Sequence, residues 1–466
     1  MRTMIATFAA GGLLAVLAGP ALANSPSARE LQSAVDGYLA GQTADASLVG
    51  GAGSAGYDRG FWIRGGDFDL KINLTIQARF EAIDFDATEA TPGRDLSGFS
   101  TPRTTVKLSG HAPCNTSYYV ELEFGHFGRD GIESDRVGVL EVLEKAGGPP
   151  DFSFRNLGPT QYGASPADYQ SQNYDFAREA WIEWAASDAF KFRMGQIATP
   201  TTRQLMTAPE LQQFVDVSLA SAFTGHLMSG YTDRNRDHGF MVHGALGCNN
   251  EWSWMVAVTN GDGGDSIRNV FDERTDDNLA VSARLNWAFL KPTYYEEGAL
   301  RQSTCEWYGE VGGWVYSYAD RTDGPHTLWG DTLNFGADLA LGYGGFSMTG
   351  AFTLGSVTDI PGEADIDTTA YLVQLGYLFP GTAWELAARY SSVNVEQGAF
   401  TGDLTEIAGA INYYLNGHGN KLSVDVTFLD ETDADLNFFD VYTGIQPLPG
   451  LEDSAILIRF QWQLAL

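Results

Sequence analysis

The sequence lacks long apolar segments, and this excludes one class of membrane protein. After about the first two dozen positions, no run of 18 or more apolar residues occurs in the 466-residue chain. A transmembrane helix needs about 20 such residues. Helical membrane spans are therefore excluded, although the length would allow either two or three soluble domains or one large barrel.

Motifs of known catalytic chemistry are also lacking. The seven His residues are scattered without an HExxH pair, and neither a GxSxG turn nor a phosphate-binding loop occurs. We therefore predict that the protein is not an enzyme and that it uses no cofactor. The three Cys residues, Cys114, Cys248 and Cys305, have no CxxC or metal-ligand spacing, so no metal site is expected. A disulfide between Cys248 and Cys305 and free thiols remain alternatives.

Basic residues are few, and Lys is especially scarce. The chain has 28 Lys and Arg against 59 Asp and Glu, for a formal charge of -31. So acidic a chain is not expected to bind nucleic acid. Acidic runs are usually solvated, so we predict acidic surface loops, with weak divalent-cation bridging as the alternative.

The N-terminus has the pattern of a secretory signal peptide over residues 1–23. Arg2 precedes an apolar stretch, and Ala21-Leu22-Ala23 forms a small-residue cleavage site. Removing this segment would leave 27 basic and 59 acidic residues, a charge of -32. Residues 24–60 then predict a short periplasmic helix, with an apolar residue every fourth position from Leu31 to Leu39, and a Gly-rich linker.

From Phe68 onward the sequence alternates between apolar and polar residues. Leu70, Ile72 and Leu74 are separated by polar residues, and the last strand alternates up to Leu466. Such a period of two indicates strands with one apolar face. The strands are long, about 10–13 residues, and their polar faces carry Lys, Arg and Glu, which suits tilted strands around a wet lumen.

Counting these segments predicts an all-β fold, a 16-stranded antiparallel transmembrane barrel over residues 61–466. Short turns alternate with long connections, as in outer-membrane barrels, so the long set should be extracellular. One connection of the short set, about 290–304, is longer and contains Pro292. The eight long connections fall at about 84–99, 128–175, 198–237, 260–276, 318–330, 355–367, 396–404 and 430–452.

Several short motifs resemble the phosphate-selective porin O and P family of Gram-negative outer membranes. They lie between Lys191 and Leu285 and are a GQ-x-x-x-P turn (Gly195, Gln196, Pro200), a QFVD-x-S loop (213–218), an RD-x-G strand start (Arg236, Asp237, Gly239) and a TNGDG strand end (259–263). The resemblance implies a homotrimeric channel in the cell outer membrane, surrounded by lipid. It also implies that the third long loop folds into the barrel and narrows it.

The predicted pore-lining residues are charged side chains on the inward strand faces and in the third loop. If the apolar faces point outward, basic and acidic groups together would filter solutes by charge and size, or would pair and hold the inserted loop. They are Lys71, Arg79, Lys107, Glu121, Glu123, Lys191, Arg193, Arg203, Arg234, Arg236, Arg284, Arg389 and Arg459.

The sequence thus predicts an outer-membrane porin for passive diffusion of small hydrophilic solutes or inorganic ions. An anion or phosphate preference is what the family resemblance implies, and the acidity of the chain argues against it. The alternative is a structural or adhesive barrel whose lumen is plugged.

Overall fold

The computed structural model describes residues 54–85, 95–124, 138–143, 151–156, 177–229, 235–261, 278–293, 295–300, 306–319, 331–359, 364–398, 400–432 and 454–466. The chain divides into two units, Met1–Gly56 and Tyr57–Leu466. Of the first unit only residues 54–56 are described, and they are extended. The predicted signal peptide and the predicted helix near Leu31 therefore lie outside the described residues.

The described residues form long strands, most of them 8–18 residues in length. They are β1 (Ser54–Tyr57), β2 (Phe61–Gly65), β3 (Phe68–Phe85), β4 (Asp95–Ala112), β5 (Thr116–Glu123), β6 (Gly138–Leu143), β7 (Asp151–Asn156), β8 (Ala177–Ser187), β9 (Phe190–Ala198), β10 (Arg236–Leu246), β11 (Trp252–Thr259), β12 (Ala280–Trp287), β13 (Trp307–Tyr318), β14 (Asp331–Tyr343), β15 (Phe346–Thr358), β16 (Ile366–Leu378), β17 (Trp384–Gln397), β18 (Phe400–Tyr414), β19 (Asn420–Thr432) and β20 (Ser454–Ala465).

Sixteen of these strands form one closed antiparallel ring. It runs β3–β4–β5, continues through β8 to β20, and closes where β20 pairs with β3. At the closure Gln461 lies opposite Arg79, and the backbone N–H of Leu466 donates to the carbonyl of Leu74 at 2.8 Å. The predicted sixteen-stranded barrel is confirmed. Strand β2 pairs with the start of β3, and β6 with β7 forms a separate hairpin within the second long connection.

The outer face of the barrel is apolar and the inner face is polar. On β12, for example, Val281 and Leu285 are exposed, whereas the alternate residues Ser282 and Arg284 are buried. A water-soluble protein would have the opposite arrangement. Apolar side chains pointing away from the barrel axis match a lipid environment, and the polar set lines the lumen.

Aromatic rings gather on the outside near the short turns. Trp252 stacks on Trp287 with centroids 5.5 Å apart, and Trp307 stacks on Tyr343 at 4.8 Å. Such rings match the aromatic girdle that outer-membrane barrels have at a membrane interface. Trp314 differs, because it faces the interior and is buried against the third long connection.

Most connections between the strands have the predicted alternation of length, but the long connection predicted at about 396–404 is wrong. Strand β17 continues to Gln397 and pairs there with Phe400, the first residue of β18, so this connection is a tight hairpin in which Gly398 has a positive φ angle of 60°. In the turn between β4 and β5, Cys114 and Asn115 both have positive φ angles, 65° and 57°, as the two central residues of a type I′ hairpin turn do.

Cys114 and Cys248 are exposed free thiols, and Cys305 lies outside the described residues. None of the described helices is long and apolar enough to span a membrane.

Candidate pore and its inserted loop

The third long connection, between β9 and β10, is packed inside the barrel. It forms helix α1 (Arg203–Met206), a 3₁₀ turn (Pro209–Leu211) and helix α2 (Leu219–Ser229). Its backbone is held by the opposite wall: the N–H of Leu219 donates to Glu406 at 2.8 Å and that of Val215 to Asp425 at 3.2 Å. The first N–H groups of a helix have no partner within the helix, so Glu406 both satisfies one and complements the helix dipole.

Asp216 of this connection lies among three arginines of the wall. The guanidinium of Arg79 donates to it at 2.9 Å, Arg103 donates to its other oxygen, and Arg459 lies 3.4 Å away. Burial alone would raise the pKa of Asp216, but the three positive charges more than offset it and hold the pKa below its usual range. The carboxylate is therefore charged at neutral pH and binds the inserted loop to β3, β4 and β20.

A second set of contacts joins the loop to the wall through neutral amides. The side chain of Gln213 donates to Glu385 at 2.8 Å and to Ser347 at 3.2 Å, and Asn412 donates to the carbonyl of Gln213 at 2.8 Å. Glycine at position 376 of β16 makes this approach possible, because a Cβ there would lie 1.8 Å from the Gln213 amide nitrogen. Both the loop and the wall sequence are therefore adapted to this docking.

Four of the predicted pore residues are buried in ion pairs beside the inserted loop. Arg284 forms two hydrogen bonds of 2.7 Å with Asp338, and Arg459 pairs with Asp425 at 2.8 and 2.9 Å. Arg389 donates to Glu406 at 2.8 Å and to the carbonyl of Asp216 at 2.8 Å. Arg203 on α1 lies 3.3 Å from Glu310. All four arginines are at most 2% exposed, and removing one partner of such a pair typically costs about 3–5 kcal/mol.

The wall formed by β4, β5 and β8 also carries paired charges, of which Lys107 and Glu123 are partly exposed and Glu121 and Arg178 are buried. Lys107 contacts Glu210 of the inserted loop and lies 3.8 Å from Glu121, which accepts from Arg178 at 3.1 Å. Arg178 is also 3.5 Å from Glu123. Lys107 and Glu123 therefore belong to one charged network on β4, β5 and β8.

Arg193 is the centre of a further group on that wall. It donates to Glu183 at 2.7 Å and lies over the ring of Trp181, 3.8 Å from its centroid. A ring nitrogen of His243 is 2.7 Å from the same oxygen of Glu183. On β10, Arg236 donates to Glu179 at 2.9 Å and to the carbonyl of Leu205 at 3.4 Å.

Lys71 and Lys191 differ from the other predicted basic residues. Both face the lumen near the short-turn end of their strands and are partly exposed. Among the carboxylates that the structure describes, none lies within ion-pair distance of either. Arg234, also predicted to line the pore, lies outside the described residues. That the thirteen predicted residues line the pore stays a prediction, although the structure brings most of the twelve described ones into lumenal networks.

Sequence reasoning missed several members of these networks. Arg103 was detectable, because it shares the parity of Lys107 on β4. Asp216 lies in the QFVD-x-S motif, which already singled out the loop. Arg178 could not be found by alternation, because it has the parity of the outward-facing Ile182 and turns inward through an irregularity between β5 and β8.

The closed ring, the apolar outside, the charged lumen and the inserted loop define the class of the protein: a sixteen-stranded outer-membrane porin barrel. The sequence profile of the phosphate-selective porin O and P family matches residues 139–438. This chain belongs to that family. It is a porin of the Gram-negative outer membrane that allows passive diffusion of small hydrophilic solutes.

Solved structures share the fold at low sequence identity. An anion-selective porin from Comamonas acidovorans has 13% identity and a TM-score of 0.52, over 86% of this chain and 100% of that one. OmpT of Vibrio cholerae, described as expressed in the outer membrane, has 10% identity and a TM-score of 0.50, over 86% and 99%. A comparison with curated proteins finds no match.

Proposed function

We propose that each barrel carries its own aqueous pore, that the third long connection narrows this pore, and that the chain works as a non-enzymatic homotrimer. The observation that carries the proposal is the anchoring of residues 199–229 across the lumen. Asp216, Gln213 and Leu219 bind to β3, β17 and β18, and Arg236 of β10, across the ring from β18, donates to the carbonyl of Leu205. An inserted segment of this kind sets the narrowest cross-section and brings both signs of charge to it. Export by the signal peptide of residues 1–23 and insertion in outer-membrane lipid complete the proposal.

Planar-bilayer recording of the purified protein tests this function. Stepwise conductance is expected, and deletion of residues 205–230 should raise it because the obstruction is removed. A deletion that leaves conductance unchanged would place the loop outside the pore, whereas a protein without channel steps would support the plugged, adhesive barrel. The oligomer is measured on the same sample by light scattering in detergent.

Anion preference is the second candidate, and one observation favours it. Most lumenal cations are neutralised by a carboxylate, but Lys71 and Lys191 have no such partner among the described residues. Two uncompensated charges would favour small anions, phosphate included, at one mouth of the pore. The porin of Comamonas acidovorans that shares the fold is described as anion-selective. A reversal potential of cationic sign in a high-salt gradient would contradict the preference.

A further inference from the structure

The two halves of the barrel wall differ in what covers their inward side chains. On the strands from β12 to β20, the inward polar side chains are buried, among them Ser282, Glu310, Thr353, Gln374 and Glu406. On β4 to β11, by contrast, a continuous series of inward side chains is partly exposed, namely Lys107, Tyr119, Trp181, Arg193, His243 and Met255. We call the first set the closed wall and the second the open wall.

Two inserted segments cover the closed wall, and they come from opposite ends of the barrel. The first is the third long connection. The second is the connection between β12 and β13, of which residues 288–293 and 295–300 are described. It belongs to the short-turn side, yet Thr293, Glu297 and Ala299 are at most 3% exposed. Ala299 packs with Leu378 and Tyr414 of the wall, so this segment turns into the barrel.

Glu297 joins the two inserted segments. Its carboxylate accepts hydrogen bonds from the side chain of Gln204 at 3.0 Å and from the backbone N–H of Gln213 at 2.9 Å, both in the third connection. It also accepts from Gln374 of the closed wall at 2.9 Å. The backbone N–H of Glu297 donates to the carbonyl of Leu211 at 3.0 Å. A buried carboxylate with three donors is a strong fixing point.

Neighbouring contacts extend the same junction. Thr293 accepts from Arg203 of α1 and donates to Glu310 at 3.0 Å. The hydroxyl of Tyr295 accepts from Arg284 at 3.1 Å. Arg203 and Arg284 therefore hold the two segments against each other and against the wall. The two segments in turn cover both arginines.

We infer that residues 288–293 and 295–300 of the β12–β13 connection are a second constriction element, and that they close the β12–β20 half of the lumen together with the third loop. Solutes then pass along the open wall. This inference rests on the proposed pore function. It makes Lys107, Glu123 and Arg193, the partly exposed charges of β4, β5 and β9, the groups that solutes meet. It gives Arg203, Arg284, Arg389 and Arg459 the task of holding the inserted segments.

Thiol modification during bilayer recording tests the inference. In a parent with Cys114, Cys248 and Cys305 changed to Ser, single cysteines are placed on the open wall (His243→Cys, Met255→Cys) or the closed wall (Ser282→Cys, Thr353→Cys). The probe is 2-(trimethylammonium)ethyl methanethiosulfonate. Loss of conductance is expected for the two open-wall variants, and none for the two closed-wall variants.

Controls separate the possible failures. Labelling after unfolding in detergent and urea must succeed in all four variants, and each must keep the gel mobility of the folded parent. Loss of conductance at Ser282→Cys and Thr353→Cys, as at the open wall, would overturn the inference. Block at none of the four would overturn it as well. A cysteine-free parent without channel steps would instead overturn the proposed pore function.

Discussion

At the residue scale, Asp216 is the carboxylate of the inserted loop that three arginines of the wall share. It contacts Arg79 and Arg103 directly and lies 3.4 Å from Arg459. Replacing it with Asn removes one negative charge from a buried cluster. This should lower the free energy that holds the loop in the barrel, or the free energy of unfolding of the barrel, by about 3–5 kcal/mol. We expect Asp216→Asn to lower the temperature at which the folded band converts to the unfolded band on detergent gels. Asp367→Asn, an exposed position on β16, is the matched control and should have no effect.

The pH dependence of this contact has a definite sign. Because the pKa of Asp216 is lowered in the folded protein, its contribution is complete above the unfolded value of about 3.9. It is lost as the pH falls through the lower folded value. The difference between wild type and Asp216→Asn should therefore be constant from pH 7 to pH 5 and shrink only in stronger acid. A difference that disappears between pH 7 and pH 5 would contradict the charged state of Asp216.

At the element scale, the two inserted segments depend on each other through Glu297. Glu297→Ala removes three hydrogen bonds to a charged acceptor, at about 1.5–3 kcal/mol each. We expect a higher and noisier conductance, because both segments lose their common anchor. Glu306→Ala is the control. Glu306 belongs to the same connection, but its side chain is 55% exposed and pairs with Lys291. Equal conductance in wild type and Glu297→Ala would show that the junction does not limit the pore.

The elements also show which parts of the structure the sequence could predict. Alternation from Leu70 to Leu74 sufficed for the strands, because a barrel has only two faces and lipid selects one of them. The inward course of the third loop was predicted only through the family resemblance, which the motif around Asp216 helps to carry. The inward course of residues 291–293 and 295–300 was not predicted, because an unusual length and Pro292 do not indicate a direction. Its contacts, as at Glu297, form only with residues distant in the chain.

At the scale of the whole molecule, the fold separates two sources of selectivity. The chain carries a formal charge of -31, and its acidic runs, such as 262–265 and 430–435, fall largely in long connections. The lumenal networks, by contrast, pair most charges, and Lys71 and Lys191 stand apart at the short-turn end. Acidic loops act through bulk solvent and are screened by salt, whereas groups within the lumen act at contact distance.

This separation predicts that ion selectivity changes with salt. The Debye length is about 30 Å at 0.01 M and about 3 Å at 1 M, so the acidic loops should attract cations to the mouth only in dilute salt. We expect reversal potentials to shift toward anion preference as both solutions of a fixed-ratio KCl gradient are concentrated. In Lys71→Gln/Lys191→Gln the high-salt anion preference should be lost while the dilute-salt cation bias remains. A reversal potential independent of concentration would mean that groups within the lumen alone set selectivity. If the double variant keeps the selectivity of the wild type in high salt, Lys71 and Lys191 do not cause the anion preference.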